Sequence, residues 1–353
     1  LYTPALDYFG ADSFRFIVDD GQDASGDAVV AIDVLPVNDP PIITTSLVQL
    51  PAQQSVGVFP IAHFDPDGDT GMVLTVTSSP SRGMAEVDGG NIRYTRFGLS
   101  AYLDDAFTVR LTDPTGAEDS AAVNVELTSQ PSCALILNTS ASIGDTTHVI
   151  DPSPPGGSDR FLAHCDMTRA GGGWTLALRA DGRLNNFGFW SGMWTSTSTF
   201  NADQPGPVTS LEGKLASFSA VPLTEVMVGM APFVGVQVSG DWRYVVGKLA
   251  GAERSSLRSI IATSGSVALT TAPAASPSPG RTRWLRLLNG ATLQANCNDE
   301  SLRGSSTSMT SLRIGILGNN ETNCSSPDSF IGVGSNLDIT SGQIKELATG
   351  TAV

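Results

Sequence analysis

The sequence predicts a multidomain protein in which all-β sandwiches precede an α+β domain. Its 353 residues are enough for two or three domains, each with its own core. Charged residues make up 16% of the chain, and Gly, Ser, Thr, Pro and Val are abundant, which favours β-structure and loops over helical bundles. A repeat with strand-like alternation lies within residues 1–130, and all four cysteines follow it.

An internal repeat organises the first part of the chain. Residues 12–14 (DSF) return as residues 105–107 (DAF), an offset of 93 residues. In both copies apolar side chains occupy alternate positions, which is the period of a strand with one face in a core. The matched segments are 2–4 with 94–96 at an offset of 92, Phe14–Val18 with Phe107–Leu111, and Ala28–Val34 with Ala121–Leu127.

The two copies differ in what precedes them. The second copy has a further half from about Ile42 to Tyr94, which the first copy lacks because the sequence begins at Leu1. The sequence therefore predicts a fragment of a longer chain that starts within a module, with residues 1–38 as that module's last strands. Exposed strand edges in such a half-sandwich favour self-association or completion by another chain.

Two stretches of this part carry a family resemblance: DYFGADSFRFIVDDGQDASGDAVVAIDVLPVNDPP and AHFDPDGDTGMVLTVTSSPSRGMAEVDGGNIRYT. Both resemble the cadherin-like or bacterial Ig-like tandem repeats of large bacterial surface proteins, which implies seven-stranded β-sandwiches. The predicted domains are 1–41, the C-terminal part of a cadherin-like sandwich; 42–129, a complete one; and 130–353.

The acidic residues are concentrated in the first part of the chain. Residues 1–130 hold 19 Asp and Glu against 5 Lys and Arg, whereas residues 131–353 hold 16 against 15. A basic footprint for phosphates is absent from this sequence, so nucleic acid is not an expected partner. The acidity indicates either a solvated surface or calcium binding.

The run DPDGD is the first candidate calcium site. Carboxylates at alternate positions around a glycine turn can converge on a hard cation, although the run can also be a plain polar turn. The NDPP segment at the module junction resembles the linker ligands of the cadherin-like family, which implies two further ligands. The candidate ligands are Asn38, Asp39, Asp65, Asp67 and Asp69.

The four cysteines predict two disulfides and an oxidising, extracytoplasmic setting, and their spacing leaves three connectivities open. Around the first two lie the segments VIDP, FLAHCDM and GGGWTL. This succession resembles the opening of a fibrinogen-like C-terminal domain, and it implies the pairs Cys133–Cys165 and Cys297–Cys324. Trp174 is expected to begin a core strand after the glycine turn.

The remaining pattern of this domain is mixed α and β. Helical spacing of apolar residues predicts helices at Leu211–Phe218 and Glu253–Ile261, and a Pro/Ser/Ala-rich loop is expected at Ala272–Gly280. The predicted strands are Thr224–Gly229, Arg243–Gly247, Arg283–Leu288 and Leu312–Leu317.

The segments around the last two cysteines depart from the animal fibrinogen pattern and resemble a divergent bacterial branch or the intelectin-type lectins. A bond between these cysteines would gather carboxylates and amides that suit calcium, which intelectins use to hold sugar diols; a stapled polar loop is the alternative. The candidate ligands are Asn298, Asp299, Glu300, Asn319, Asn320, Glu321 and Asp328, and the candidate sugar platforms are Trp190, Trp194 and Trp242.

These features predict an extracellular adhesin-type protein, in which a β-sandwich stalk presents a calcium-dependent head to a glycan or other cell-surface ligand. The alternative is a structural subunit of an extracellular fibre or sheath. No nucleophile elbow, P-loop or H-E-x-x-H motif is present, so the sequence does not predict an enzyme. No apolar run reaches about 18 residues, so no membrane span is expected.

Overall fold

The computed structural model describes residues 1–52, 54–98, 103–139, 144–153, 159–206, 211–234, 237–238, 241–271, 280–288, 291–304, 311–327, 329–335 and 343–350. The chain folds as two compact units, Leu1–Thr128 and Ser129–Val353. Among the described residues, no helix has both the length and the apolar character that crossing a membrane requires.

The first unit begins with an antiparallel hairpin. Its strands are β1 (Gly10–Phe16) and β2 (Ala28–Val34). These strands form a two-stranded sheet in which Phe14 lies opposite Val30. Both predicted strand segments of the first repeat copy are therefore extended, although the first strand ends at Phe16, two residues earlier than expected.

The remainder of the first unit is a β-sandwich. Its strands are β3 (Ile42–Ile43), β4 (Leu47–Pro51), β5 (Val56–Pro60), β6 (His63–Phe64), β7 (Val73–Ser78), β8 (Gly83–Asp88), β9 (Asn91–Arg96), β10 (Asp105–Thr112) and β11 (Glu118–Thr128). One sheet has the order β4-β11-β10-β7, another has the order β5-β9-β8, and β3 pairs with β6. Only the β4–β11 pairing among these is parallel.

Alternating apolar residues of both sheets form the core of the sandwich, as the period of two requires. Tyr94 of β9 stacks on Phe107 of β10, with 6.5 Å between ring centroids. The most deeply buried apolar residues are Leu50, Ile92, Tyr94, Phe107, Val109, Leu111, Val123, Val125 and Leu127.

The second unit is built on one long sheet with short helices. Its helices are α1 (Cys133–Thr139), α2 (Ser217–Ala220), α3 (Leu257–Ile261) and α4 (Gly280–Leu285). Its strands are β12 (Thr146–Ile150), β13 (Phe161–Asp166), β14 (Trp174–Asp181), β15 (Gly213–Lys214), β16 (Glu225–Val234), β17 (Gln237–Val238), β18 (Arg243–Leu249), β19 (Ser266–Thr271), β20 (Asn296–Arg303), β21 (Leu312–Asn319), β22 (Ser329–Ser335) and β23 (Gln343–Gly350).

The main path of this sheet runs β12-β13-β14-β23-β16-β18-β19-β20-β21-β22, with β15 on β14 and β17 on β16. The main core lies along it and includes Trp194 and Trp284, both fully buried. Disulfides join Cys133 to Cys165 and Cys297 to Cys324, which are the pairs that the fibrinogen-like resemblance implied.

Two predictions for the second unit were wrong. Arg283–Leu288 was expected as a strand, but its first residues belong to helix α4. Trp284 and Leu287 are both buried in the core, with exposures of 0% and 3%. Side chains three residues apart lie on the same face of a helix but on opposite faces of a strand. The apolar run therefore had a helical period that the strand interpretation overlooked.

Leu211–Phe218 was expected as a helix, but Gly213 and Lys214 pair with β14 instead. Their backbone groups are committed to the sheet, so helix is confined to α2. The second expected helix, Glu253–Ile261, begins only at Leu257, because Ser256 forms a capping box with Ser259. Of the other predicted strands, Thr224–Gly229 begins one residue before β16, and the remaining two lie within β18 and β21. Residues 272–279 of the predicted loop lie outside the described residues.

Candidate functional site

The junction between hairpin and sandwich gathers the first set of predicted ligands. The Asn38 side-chain amide donates to Oδ2 of Asp113 at 2.7 Å. The backbone N–H of Asp39 donates to Oδ2 of Asp67 at 2.6 Å. These two contacts tie the NDPP segment to the DPDGD turn and to Asp113, a residue that the sequence reasoning missed.

The DPDGD turn is held by its own first carboxylate. Oδ1 of Asp65 accepts the backbone N–H groups of Asp67 at 2.9 Å and Asp69 at 3.4 Å. Gly68 has a φ of +77°, a conformation that glycine adopts without steric cost. The other oxygen of Asp65, Oδ2, is buried and has no hydrogen-bond partner. A carboxylate oxygen is costly to bury without a hydrogen-bond partner, so Oδ2 of Asp65 is a candidate ligand atom for a cation.

The electrostatics of this junction show mutual repulsion between carboxylates. The pKa of Asp39 is raised by desolvation and by the charges of Asp7, Asp67 and Asp65. The pKa of Asp69 is raised by desolvation and by the charges of Asp65, Asp113 and Asp67. The pKa of Asp113 is instead lowered to about 2, first by the hydrogen bond from Asn38. A cation placed among these oxygens would relieve the repulsion.

The structure does not close this group into a metal cage. Within the described parts of the chain, no three or more His, Cys, Asp and Glu side chains are arranged to hold a metal ion. The junction thus offers a buried oxygen without a hydrogen-bond partner and carboxylates that repel one another, with backbone amides donating to Oδ1 of Asp65 and Oδ2 of Asp67.

The second set of predicted ligands flanks the Cys297–Cys324 disulfide in the sequence, and two of its carboxylates, Asp299 and Glu300, are already paired with arginines. Glu300 receives two hydrogen bonds from one terminal nitrogen of Arg283, at 2.7 and 2.9 Å, and both side chains are more than 90% buried. Asp299 pairs with Arg303 at 2.9 Å. These arginines neutralise the two carboxylates that are nearest to Cys297 in the sequence.

The amides of this set serve the local backbone. The side chain of Asn298 donates to the carbonyl of Ala295 at 2.9 Å. Asn319 is fully buried, and its side chain donates to the carbonyl of Asn323 at 2.9 Å. Asn320 and Glu321 are exposed, and Asp328 lies outside the described residues. In the described part of this set, the carboxylates of Asp299 and Glu300 are therefore held by arginines, and the amides of Asn298 and Asn319 donate to backbone carbonyls.

The three tryptophans proposed as sugar platforms differ in exposure. Trp194 is fully buried, and its ring N–H donates to the carbonyl of Gly188 at 2.9 Å. Trp242 is half-buried and stacks on Tyr244, with 6.2 Å between ring centroids. Trp190 is 74% exposed and meets Phe189 edge-on at 4.9 Å. Trp190 is therefore the most exposed of the three.

A polar network lies in the same segment of chain as Trp190. Glu212 accepts the backbone N–H of Asp181 at 3.0 Å and the Asn186 side chain at 2.6 Å, and Asp181 pairs with Arg183 at 2.7 Å. Burial raises the pKa of Glu212. The sequence reasoning missed this network, because Glu212 is about thirty residues from its partners and lay in a segment assigned to a helix.

Comparison with known proteins assigns the sandwich. Residues 38–126 match the family model of the bacterial Ig domain. This match agrees with the Ig-like repeat expected from the sequence, and it covers the junction ligands and the DPDGD turn. A search of the curated proteins found no match.

Solved structures with some similarity include two endo-fucoidan hydrolases of glycoside hydrolase family 107. MfFcnA4 is 21% identical over 35% of this chain and 19% of that chain, with a TM-score of 0.21. MfFcnA9 is 14% identical over 35% of this chain and 23% of that chain, with a TM-score of 0.20. The chain spans less than a quarter of either enzyme, and at these values neither fold nor activity transfers from them.

Proposed function

We propose that this chain is part of an extracellular adhesin-type protein, in which Ig-like β-sandwich modules carry Ser129–Val353 as a recognition head for a glycan or other surface ligand. The observation that carries the proposal is a bacterial Ig domain at residues 38–126 joined to a unit with two disulfides. Disulfides persist in oxidising compartments outside the cytoplasm, so the Ig domain and the disulfide-containing unit both favour an extracellular location.

The head is proposed to be a divergent fibrinogen-like domain. The support is local: the disulfide Cys133–Cys165, a turn of three glycines with positive φ, and a strand that begins at the buried Trp174. A Cβ on Gly172 would lie 2.2 Å from the carbonyl oxygen of Met167. Close backbone approach therefore requires glycine at position 172, as a fold signature would.

The ligand contact proposed for the head is Trp190. An exposed indole offers a flat apolar face for the C–H side of a sugar ring, and its edge contact with Phe189 fixes its orientation.

A glycan array followed by titration calorimetry tests this contact. Trp190→Ala is expected to weaken binding about tenfold or more, because exposed aromatic anchors dominate small interfaces. Leu184→Ala is the matched control, since Leu184 is also exposed, at 53%, and lacks an aromatic face. Equal binding by both variants, or no glycan bound by the unmodified chain, would rule out this role.

Calcium is proposed at the module junction. Asn38, Asp39, Asp65, Asp67 and Asp69 would hold it, and the ion would neutralise their charges and stiffen the junction. The free Oδ2 of Asp65 and the raised pKa values of Asp39 and Asp69 support this assignment. In the head, Glu300 and Asp299 are already paired with arginines. The module junction is therefore the better candidate calcium site than the loops around the second disulfide.

Thermal unfolding with calcium or EDTA tests the junction. Calcium at a hundredfold excess over its Kd should stabilise the first unit by about 2.7 kcal/mol. The double variant Asp65→Asn and Asp67→Asn should lose this response, whereas Asp299→Asn in the head should keep it. If calcium leaves the melting temperature of the first unit unchanged in the unmodified chain, the site is refuted.

A fibre or sheath subunit is the second candidate function. It is favoured by the exposed apolar side chains of the N-terminal hairpin, such as Phe14 at 47% and Val18 at 61%. Sedimentation over a wide concentration range separates the two: open-ended polymers support the fibre, and a monomer with glycan binding supports the adhesin.

A further inference from the structure

The N-terminal hairpin reproduces the last two strands of the sandwich. In β1 and β2, Asp12 lies opposite Ile32. In β10 and β11, Asp105 lies opposite Val125, and both members are 93 positions later. The same offset relates five consecutive hairpin pairs, from Asp12 opposite Ile32 to Phe16 opposite Ala28, to the pairs between β10 and β11. The internal repeat is therefore a repeat of strand pairing as well as of sequence.

A side-chain hydrogen bond is also repeated. In the sandwich, the hydroxyl of Tyr94 donates to Oδ2 of Asp105 at 2.9 Å, which links β9 to the neighbouring sheet. At the hairpin, the hydroxyl of Tyr2 donates to Oδ2 of Asp12 at 2.6 Å. Tyr2 thus takes the place that Tyr94 has at the end of β9.

The two copies differ in burial. Phe107, Val109 and Leu111 are exposed by 2%, 0% and 2%. Their counterparts in the hairpin segment, Phe14, Phe16 and Val18, are exposed by 47%, 43% and 61%. A face that forms a core in one copy is thus open in the other.

The sandwich shows what covers such a face. The outer edge of β10 pairs with β7, the outer edge of β11 pairs with β4, and Tyr94 of the β5-β9-β8 sheet packs on Phe107. All of these elements lie within residues 47–96. In the described residues the hairpin sheet has two strands only, so both of its outer edges lack a strand.

We infer that the apolar face and edges of the hairpin are a docking surface for the first strands of another bacterial Ig-like module, a segment equivalent to residues 42–92. The inference rests on the Ig-like part of the proposed function and names the partner of its first strands. A second copy of this chain is a poor source, because its own segment already covers β10 and β11. Donating that segment would uncover as much apolar surface as it buries.

A fusion tests the inference on the full chain. Residues 42–92 are placed directly before Leu1, because Leu1 is the counterpart of Arg93 at the offset of 92. If the segment docks, the amides of β1 and β2 should exchange at least about tenfold more slowly than in the unfused chain, measured by hydrogen exchange with mass spectrometry. An additional cooperative unfolding transition should accompany this protection.

The same fusion with Phe14→Asp is the matched control, since it places a charge where Phe107 is buried in the complete sandwich. It should lose the protection, while the other units still unfold as before. No protection in the first fusion, or equal protection in both, overturns the inference. Protection in the unfused chain that rises with concentration would show that a second copy covers the face, which also overturns it. Glycan and calcium binding are measured in separate experiments, so the proposed function can fail without the docking inference failing, and the reverse.

Discussion

At the scale of single residues, Asp105 connects three parts of the sandwich. Its carboxylate accepts the backbone N–H of Ser81 at 3.0 Å, the backbone N–H of Arg82 at 2.9 Å and the hydroxyl of Tyr94 at 2.9 Å. Asp105 is 7% exposed, so these donors compete little with water. Burial raises its pKa, but the hydrogen bonds from Arg82 and Tyr94 outweigh that effect and leave the pKa below its usual range.

We expect Asp105→Asn to destabilise the first unit by about 1–3 kcal/mol, because hydrogen bonds to a buried charged acceptor are replaced by weaker ones. Urea unfolding of the full chain, followed at the first transition, measures the change. Asp12→Asn is the matched control, since the counterpart of Asp105 in the hairpin is exposed. An equal loss in both variants would contradict the role of burial.

The same carboxylate predicts a pH dependence. A folded-state pKa below the unfolded value of about 3.9 means that its contribution to stability is complete above that pH. The contribution should disappear as the pH falls through the lowered folded pKa. The gap in unfolding free energy between the unmodified chain and Asp105→Asn should therefore shrink below about pH 4, and a constant gap would contradict the assignment.

At the scale of elements, the turn before β14 depends on glycine for two separable reasons. Gly171 and Gly172 both have positive φ, at +96° and +79°. A Cβ on Gly171 would meet nothing within 4 Å, whereas one on Gly172 would meet the carbonyl of Met167. The two positions thus share a positive φ, which favours glycine, and differ in crowding.

Gly171→Ala should therefore cost the second unit about 1–2 kcal/mol, the strain of a left-handed residue with a Cβ. Gly172→Ala should cost about 1–3 kcal/mol more, because the neighbouring backbone has to shift. Chemical unfolding of the second transition measures both. Similar losses in the two variants would show that the close approach to Met167 is relaxed in solution.

The ion pair between α4 and β20 gives a second prediction at this scale. Glu300→Gln should destabilise the second unit by about 3–5 kcal/mol, because it leaves the charge of Arg283 buried without its partner. Glu321→Gln, at an exposed position, should change little. If Glu300→Gln is neutral without calcium and costly only with it, then Glu300 is a metal ligand and not a structural partner.

Sequence reasoning succeeded where the pattern is local. The strands of the repeat follow from a period of two. The two disulfide pairs were implied by the resemblance of the run around Cys165 and Trp174 to a fibrinogen-like domain, and the structure has both pairs. It failed where a distant residue decides the outcome. Arg283 neutralises Glu300, and Arg303 neutralises Asp299. The NCNDE segment itself contains no signal that predicts these arginine partners. Trp190 and Trp194 are four residues apart, and only packing decides which of them is exposed.

At the scale of the whole molecule, the two units are stabilised by different means. The first unit has no cysteine, so hydrophobic burial, hydrogen bonds and the proposed cation have to stabilise it. The second unit holds both disulfides, which close loops of 32 and 27 residues. In the chain-entropy model each loop of that length contributes roughly 3.5 kcal/mol.

Reduction of the disulfides should therefore distinguish the melting transitions of the two units in one experiment. A reducing agent is expected to lower the melting temperature of the second unit by well over 10 °C, since each 1 kcal/mol shifts a domain of this size by about 2–4 °C. The first unit's melting temperature should not change. Asp105→Asn assigns the transitions, because it should shift only the first one. Calorimetry with and without reductant checks the result. A reductant-induced shift of the first transition would mean that the units unfold together, and no shift of either transition would mean that the disulfides contribute little to folding.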